Sequence, residues 1–175
     1  MIRRLLMVAL VALWCAGTQA QNAAPCSDPA FRQLDFWVGD WDLSWTNADG
    51  SEGSGRNVIS RDEFGDCVIY ERFSTGNTRG MSVSTFYPAV GVWRQSWVDN
   101  QGGYFALSGG PAEGSKMQFE LRNTRLADSE PQLRMIWEDV TDDSMTWRWQ
   151  MLPADADPDT GDWKDNWVIQ YRRRK

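Results

Sequence analysis

The sequence of 175 residues contains no histidine. Nucleophilic systems of the Ser-His-Asp or Cys-His type, zinc sites with a histidine ligand and haem held by a proximal histidine all need an imidazole. Their exclusion leaves carboxylate, tyrosine, lysine and arginine side chains for any catalysis. We therefore predict neither a cofactor nor a metal site.

Long apolar runs are also scarce, and the one that is present lies near the N-terminus. Arg3 and Arg4 precede an apolar run over 5–14, and small residues follow it. This order is typical of a signal peptide, so we predict that residues 1–20 are cleaved during export to the periplasm or the extracellular space. No later stretch has the length of a transmembrane segment, and residues 21–175 suit a single domain.

Only three cysteines occur, and Cys15 falls within the predicted signal peptide. Cys26 and Cys67 then remain as a pair in an oxidising compartment, which favours a disulfide bond between them. Two free buried thiols are the alternative. A metal-binding pair fits less well, because no histidine can complete a ligand set.

Basic residues are outnumbered, with 18 lysines and arginines against 24 acidic residues and a formal net charge of −6. A chain of this charge is an unlikely partner for nucleic acid, whose phosphates attract basic surfaces. The one basic run, Arg172 to Lys175, is better explained as a solvated terminus.

Short clusters of glycine, proline, aspartate and asparagine recur along the chain and indicate closely spaced turns. Between them, alternating apolar and polar residues predict about ten strands. These start near Phe36, Gly55, Cys67, Gly80, Val92, Gly103, Lys116, Gln132, Ser144 and Trp163. A closed barrel would leave no exposed sheet edge, so we predict an all-β, antiparallel up-and-down barrel, with a β-sandwich as the alternative. A short helix over 28–34, capped by Ser27 or Asp28, should cross one mouth of the barrel.

The sequence is rich in tryptophan, with eleven residues of this type. Many are two or four positions apart: Trp37, Trp41 and Trp45; Trp93 and Trp97; Trp147 and Trp149; Trp163 and Trp167. Even spacing places side chains on one face of a strand, which predicts an aromatic barrel interior. Most of these rings should fill core volume. Trp97 and Trp137 are the candidates for lining an open cavity, against a sugar ring or a lipid-like tail.

The segment Phe36-Trp37-Val38-Gly39-Asp40-Trp41 resembles the Gly-x-Trp signature on the first strand of lipocalins and related calycin barrels. The resemblance implies structural roles for Gly39 and Trp41 at the closed end of a barrel. It also implies that an arginine of the last strand, Arg172 or Arg173, packs on Trp41 through a cation–π contact. We take Arg172 as the structural arginine.

The wider pattern resembles a family of secreted bacterial lipocalin-like domains of unassigned function. The matching segments are Asp35 to Asp42, Gly65-Asp66-Cys67 with Glu71 after it, and Trp93 to Asn100 followed by Gly102. The resemblance implies a fold and a place outside the cytoplasm. It does not imply an activity.

Three polar residues are candidates for a ligand site. Strand alternation puts Glu71 on the same inward face as Ile69, and it turns Asn57 and Gln95 inward in the same manner. A buried carboxyl group needs a partner or a shifted pKa. The alternative is a hydrogen-bonded cluster that orients the core and binds nothing.

Three functions fit these features. The first is binding of a small apolar or amphipathic ligand inside the barrel, with Asn57, Glu71, Gln95, Trp97 and Trp137 at the site. The second is an enzyme that uses Glu71 as general acid or base, with Gln95 or Asn57 polarising the substrate. The third is an envelope interaction module whose barrel is packed solid.

Overall fold

Ten antiparallel strands close into a barrel in the computed structural model, which describes residues 24–61, 66–121 and 130–175. The predicted signal peptide lies outside the described residues. The strands are β1 Gly39–Thr46, β2 Glu52–Arg61, β3 Val68–Ser74, β4 Arg79–Tyr87, β5 Val92–Asp99, β6 Tyr104–Ala112, β7 Ser115–Leu121, β8 Gln132–Glu138, β9 Ser144–Leu152 and β10 Lys164–Arg173.

Each strand pairs with its neighbours in the chain, and β10 pairs with β1 to close the barrel. The predicted up-and-down barrel is therefore confirmed, and the β-sandwich alternative is wrong. Because all neighbours are antiparallel, the strand ends form two rims. One rim contains the start of β1, and the other contains the β1–β2, β3–β4 and β5–β6 turns.

The N-terminal segment covers the first of these rims. In place of one helix over 28–34, it forms two short 3₁₀ helices, Pro29–Arg32 and Asp35–Trp37. Asp28 caps the first helix, since its Oδ1 accepts a hydrogen bond from the Ala30 N–H at 2.8 Å. The segment is held against the barrel by the Trp93 indole N–H, which donates to Gln33 Oε1 at 3.0 Å. The prediction of a short helix across one mouth is confirmed, with the helix in two parts.

A disulfide bond attaches this segment to the sheet. Cys26 and Cys67 are joined with their Cα atoms 5.1 Å apart, as predicted. Nearby, the Arg61 guanidinium donates to the Phe31 carbonyl at 2.6 Å and pairs with the Asp35 carboxylate. The covalent link and the arginine together fix the cover on the rim.

Trp41 fills the closed end, as the resemblance implies. It is completely buried, and its indole N–H donates to the Trp37 carbonyl at 2.8 Å. The Arg173 guanidinium carbon lies 4.1 Å from the centre of the Trp41 ring, and Arg173 Nη1 donates to the Val38 carbonyl at 2.9 Å. Gly39 makes this approach possible, because a Cβ at that position would overlap the guanidinium.

The choice of Arg172 for this contact is wrong. Arg173 is the direct partner of Trp41 in the β1–β10 register, whereas Arg172 is opposite Asp42 and exposed. Side chains alternate along a strand, so Arg173 shares the inward face with the buried Tyr171. Arg172, between them, points outward.

Within the described residues, no helix has the length and apolar character needed to cross a bilayer.

An aromatic cavity as candidate functional site

A cavity of about 400 Å³ lies inside the barrel and reaches the rim opposite the 3₁₀ helices. Trp37, from the second helix, contributes to its floor. Thr75 and Thr78, in the β3–β4 turn, and Asp99, at the end of β5, lie at its rim. The cavity therefore extends from the covered end of the barrel to the opposite end.

Aromatic side chains form most of the cavity wall. They are Trp37, Trp45, Phe73, Trp97, Phe105, Trp147, Trp149, Trp167 and Tyr171. The rings support one another: Trp97 stacks on Phe105 with centroids 5.8 Å apart, and Trp147 stacks on Trp149 at 6.1 Å. Such contacts hold large rings in place around the space they enclose.

Two glycines make room for indoles in this wall. A Cβ on Gly80 of β4 would overlap the Trp97 ring, and a Cβ on Gly53 of β2 would overlap the Trp45 ring. Gly53 is the direct cross-strand partner of Trp45. Each indole therefore lies close to the backbone of the neighbouring strand, which leaves the centre of the barrel open.

A buried polar cluster lies deeper in the barrel, around Glu71. The Asn57 amide N–H donates to Glu71 Oε1 at 2.7 Å, and the Ser82 hydroxyl donates to Glu71 Oε2 at 2.6 Å. The same Asn57 nitrogen donates to the Tyr171 hydroxyl oxygen at 3.1 Å. All these partners are neutral. Strand register brings these groups together. Glu71 is directly opposite Ser82 on β4, and Phe73, the direct partner of Asn57, is the next inward-facing residue after Glu71 on β3.

Burial dominates the electrostatics of this cluster. It raises the pKa of Glu71 above its usual value, although the hydrogen bonds from Ser82 and Asn57 act in the opposite direction. Burial and the proximity of Glu71 also raise the pKa of the Tyr171 hydroxyl. Burial therefore favours the protonated form of Glu71, and Tyr171 stays neutral.

Two further polar groups line the cavity. Gln95 is buried, and its amide N–H donates to the Ser84 hydroxyl at 2.9 Å. Asp99 accepts hydrogen bonds from the Trp97 indole N–H at 3.0 Å and from the Gly103 and Gln101 backbone N–H groups at 2.9 Å each. These bonds lower the pKa of Asp99, with the Trp97 contact having the largest effect. The rim therefore has a stable negative charge.

The residues proposed from the sequence occupy three kinds of position. Glu71, Gln95 and Trp97 line the cavity together. Asn57 does not line the cavity, but it donates hydrogen bonds to two residues that do, Glu71 and Tyr171. Trp137 lies in the packed core, completely buried, with its ring 5.2 Å from Trp37 and 5.3 Å from Phe119.

Other lining residues were not singled out by the sequence reasoning, above all Phe105, Trp149 and Asp99. The alternation on β9 predicts that Trp147 and Trp149 face inward, but it cannot distinguish a ring beside a cavity from one in solid packing. The Trp45–Gly53 pair offers a usable signal. A glycine opposite an inward tryptophan across a short hairpin marks a ring that lies flat against the sheet.

Among the described ranges, no three Asp, Glu, Cys or His residues are grouped as metal ligands. The acidic segment from Asp155 to Asp162 forms a surface turn, in which Asp157 Oδ1 accepts from the Asp159 N–H at 2.9 Å.

No protein-family model matches the chain, and no curated protein matches it either. The fold and the site define an antiparallel barrel with an aromatic interior cavity.

Proposed function

We propose that this protein is an exported, lipocalin-like carrier or receptor that binds a small apolar or amphipathic molecule inside its barrel. The observation that carries the proposal is the aromatic cavity of about 400 Å³ with Glu71 and Gln95 at its inner part. Cavities of this size and apolar character, with a few convergent polar groups, are typical of small-molecule sites. A module with a solid core would have no such space.

The distribution of polar groups suggests how the ligand lies. Its apolar body packs between the stacked pairs Trp97–Phe105 and Trp147–Trp149. A polar group at its inner end exchanges a hydrogen bond with Glu71 or Gln95. Rigid rings favour affinity, because little side-chain entropy is lost on binding.

Export is part of the proposal. The Cys26–Cys67 bond is of the kind that persists in oxidising compartments, and the N-terminal sequence is of the signal-peptide type. A carrier in the periplasm or outside the cell would hold apolar molecules that water dissolves poorly.

The proposal is tested by screening fatty acids, quinones, isoprenoids and oligosaccharides for two effects. A ligand in the cavity should change tryptophan emission, because five of the lining residues are tryptophans on strands. It should also raise the melting temperature, since it binds the native state preferentially. A screen in which no compound produces either effect contradicts the proposal.

The position of Glu71 is tested by Glu71→Gln, with Glu113→Gln in an exposed turn as the matched control. Loss of a hydrogen bond to a charged or strongly polar partner should weaken binding by roughly 1.5–3 kcal/mol. The control should bind like the wild type. Equal affinities in all three proteins would place the polar end of the ligand elsewhere.

An enzyme is the second candidate, favoured by one observation: Glu71 lines the cavity and burial raises its pKa. A buried carboxyl group with a raised pKa that faces a cavity can act as a general acid or base. In that case Glu71→Gln would abolish turnover and leave substrate affinity nearly unchanged. In a carrier, the same substitution would instead weaken ligand binding.

A further inference from the structure

Among the described residues, those that line the cavity include acidic side chains and no basic ones. Glu71 and Asp99 are its carboxyl groups, and the described residues that line it include no lysine or arginine. Histidine does not occur in the chain. Among these described lining residues, an anionic head group would meet two carboxyl groups and no counterion.

The aromatic wall favours a positively charged group. The faces of tryptophan rings are negative, and a cation within about 6 Å of an indole centroid is attracted to it. Four cavity tryptophans, Trp97, Trp147, Trp149 and Trp167, belong to the last strands and β5, and their rings surround the open centre. Aromatic enclosures of this kind bind ammonium groups whose charge is partly desolvated.

Glu71 lacks a basic partner in the described structure. The groups that face it are Asn57 from β2, Ser82 from β4 and Tyr171 from β10, and all of them are neutral. A cation brought into the cavity would be the first positive charge close to this carboxyl group.

Asp99 provides a negative charge at the entrance of the cavity. Its carboxylate is fixed by the Trp97 indole N–H and by two backbone N–H groups. The side chain that anchors it, Trp97, is itself part of the aromatic wall. The acidic entrance and the indole enclosure are thus one connected unit.

We propose that the ligand of the cavity is an organic cation, an amine or quaternary ammonium with apolar substituents, whose charged group lies among the tryptophan rings between Asp99 and Glu71. The proposal rests on the proposed function, because it assumes that the cavity binds a ligand. It adds the charge of that ligand.

The test compares three ligands that share a six-carbon chain: hexyltrimethylammonium, hexanol and heptanoate. Affinities are measured by tryptophan emission and by calorimetry on the disulfide-bonded protein. The cation should bind about tenfold or more tightly than hexanol, in line with a partly desolvated cation–π contact, and heptanoate should bind most weakly. Added salt should weaken the binding of the cation and leave that of hexanol nearly unchanged.

Two variants identify the charges involved. Asp99→Asn should lower the affinity for hexyltrimethylammonium several-fold and should leave hexanol binding unchanged, which also reports that the cavity is intact. Asp159→Asn, on the exposed acidic turn, is the matched control and should change neither affinity.

The outcomes separate the two proposals. If hexanol or heptanoate binds as tightly as the cation, the cation proposal is overturned and the binding function stands. If Asp99→Asn and Glu71→Gln both leave the cation's affinity unchanged, the cation proposal is also overturned. If none of the three ligands, and no compound of the wider screen, binds, the binding function itself fails.

Discussion

At the scale of single residues, Glu71 is the group with the most unusual environment. It is a carboxyl group only 7% exposed whose hydrogen-bond partners, Asn57 and Ser82, are both neutral. Most buried acids are paired with a base, and one that is not prefers the protonated form. This preference makes the stability of the barrel depend on pH.

The sign of that dependence follows from proton counting. Because the pKa of Glu71 is raised by folding, the native state binds more protons than the unfolded state between the usual pKa of a glutamate and the raised one. The free energy of unfolding should therefore fall as pH rises through this window and should level off above it. Glu71→Gln should lack this fall, which urea denaturation over a pH series would measure.

Glu113→Gln supplies the control for the pH series, because Glu113 is exposed in the turn between β6 and β7. Its curve should parallel that of the wild type. If the Glu71→Gln curve also runs parallel to the wild type, then Glu71 does not titrate differently in the folded protein.

Trp41 is the residue on which the closed end depends. It is fully buried between the Trp37 carbonyl, the Tyr171 ring and the Arg173 guanidinium. Trp41→Ala should destabilise the fold by roughly 3–5 kcal/mol, since a large cavity would form. Tyr104→Ala, at a side chain that is 62% exposed, is the control and should cost within about 0.5 kcal/mol. A normal melting temperature in Trp41→Ala would contradict the structural role.

At the scale of strands, the shape of the cavity depends on small residues beside large ones. Gly80→Ala would force a Cβ into the Trp97 ring. We expect the ring to move toward the centre, a loss of about 1–3 kcal/mol in stability, and altered tryptophan emission. The matched control is Gly110→Ala on β6, where a Cβ would meet no atom within 4 Å. Equal stabilities and emission spectra in the two variants would show that Gly80 is not needed for the placement of Trp97.

Strand-level features could be predicted because they repeat. The alternation of apolar and polar residues located all ten strands, and it turned Glu71, Gln95 and Asn57 inward as observed. Alternation did not decide whether Arg172 or Arg173 packs on Trp41. That choice depends on which residue of β10 lies opposite Trp41 of β1. The register that pairs Trp41 with Arg173 makes the decision, and it is a property of two strands distant in sequence.

At the scale of the whole molecule, the disulfide ties the N-terminal cover to the sheet. It joins residues separated by 41 positions. On the chain-entropy model, removing it should lower the free energy of unfolding by roughly 3–4 kcal/mol. Denaturation of the Cys26→Ser/Cys67→Ser double variant would measure the loss, with the wild type kept oxidised as reference. A stability equal to that of the wild type would mean that the bond does not restrict the unfolded chain as expected.

The candidate site could be predicted only in part, for a reason that also belongs to this scale. Composition and spacing indicated an aromatic interior, yet Trp97 lines the cavity and Trp137 lies in solid core, although both face inward. Which ring borders empty space depends on the summed volume of side chains from all strands and from the N-terminal cover. Residues from seven strands line the cavity, and sequence alternation carries no information on the distances between them.

Binding inside the barrel is most directly tested by titration with N-phenylnaphthylamine, a neutral apolar fluorophore that accepts energy from tryptophan. An interior site predicts saturable binding of one molecule per barrel, with quenching of tryptophan emission, and weaker binding in Gly80→Ala than in Gly110→Ala. Non-saturable binding, or equal binding in the two variants together with no quenching, would contradict an interior site.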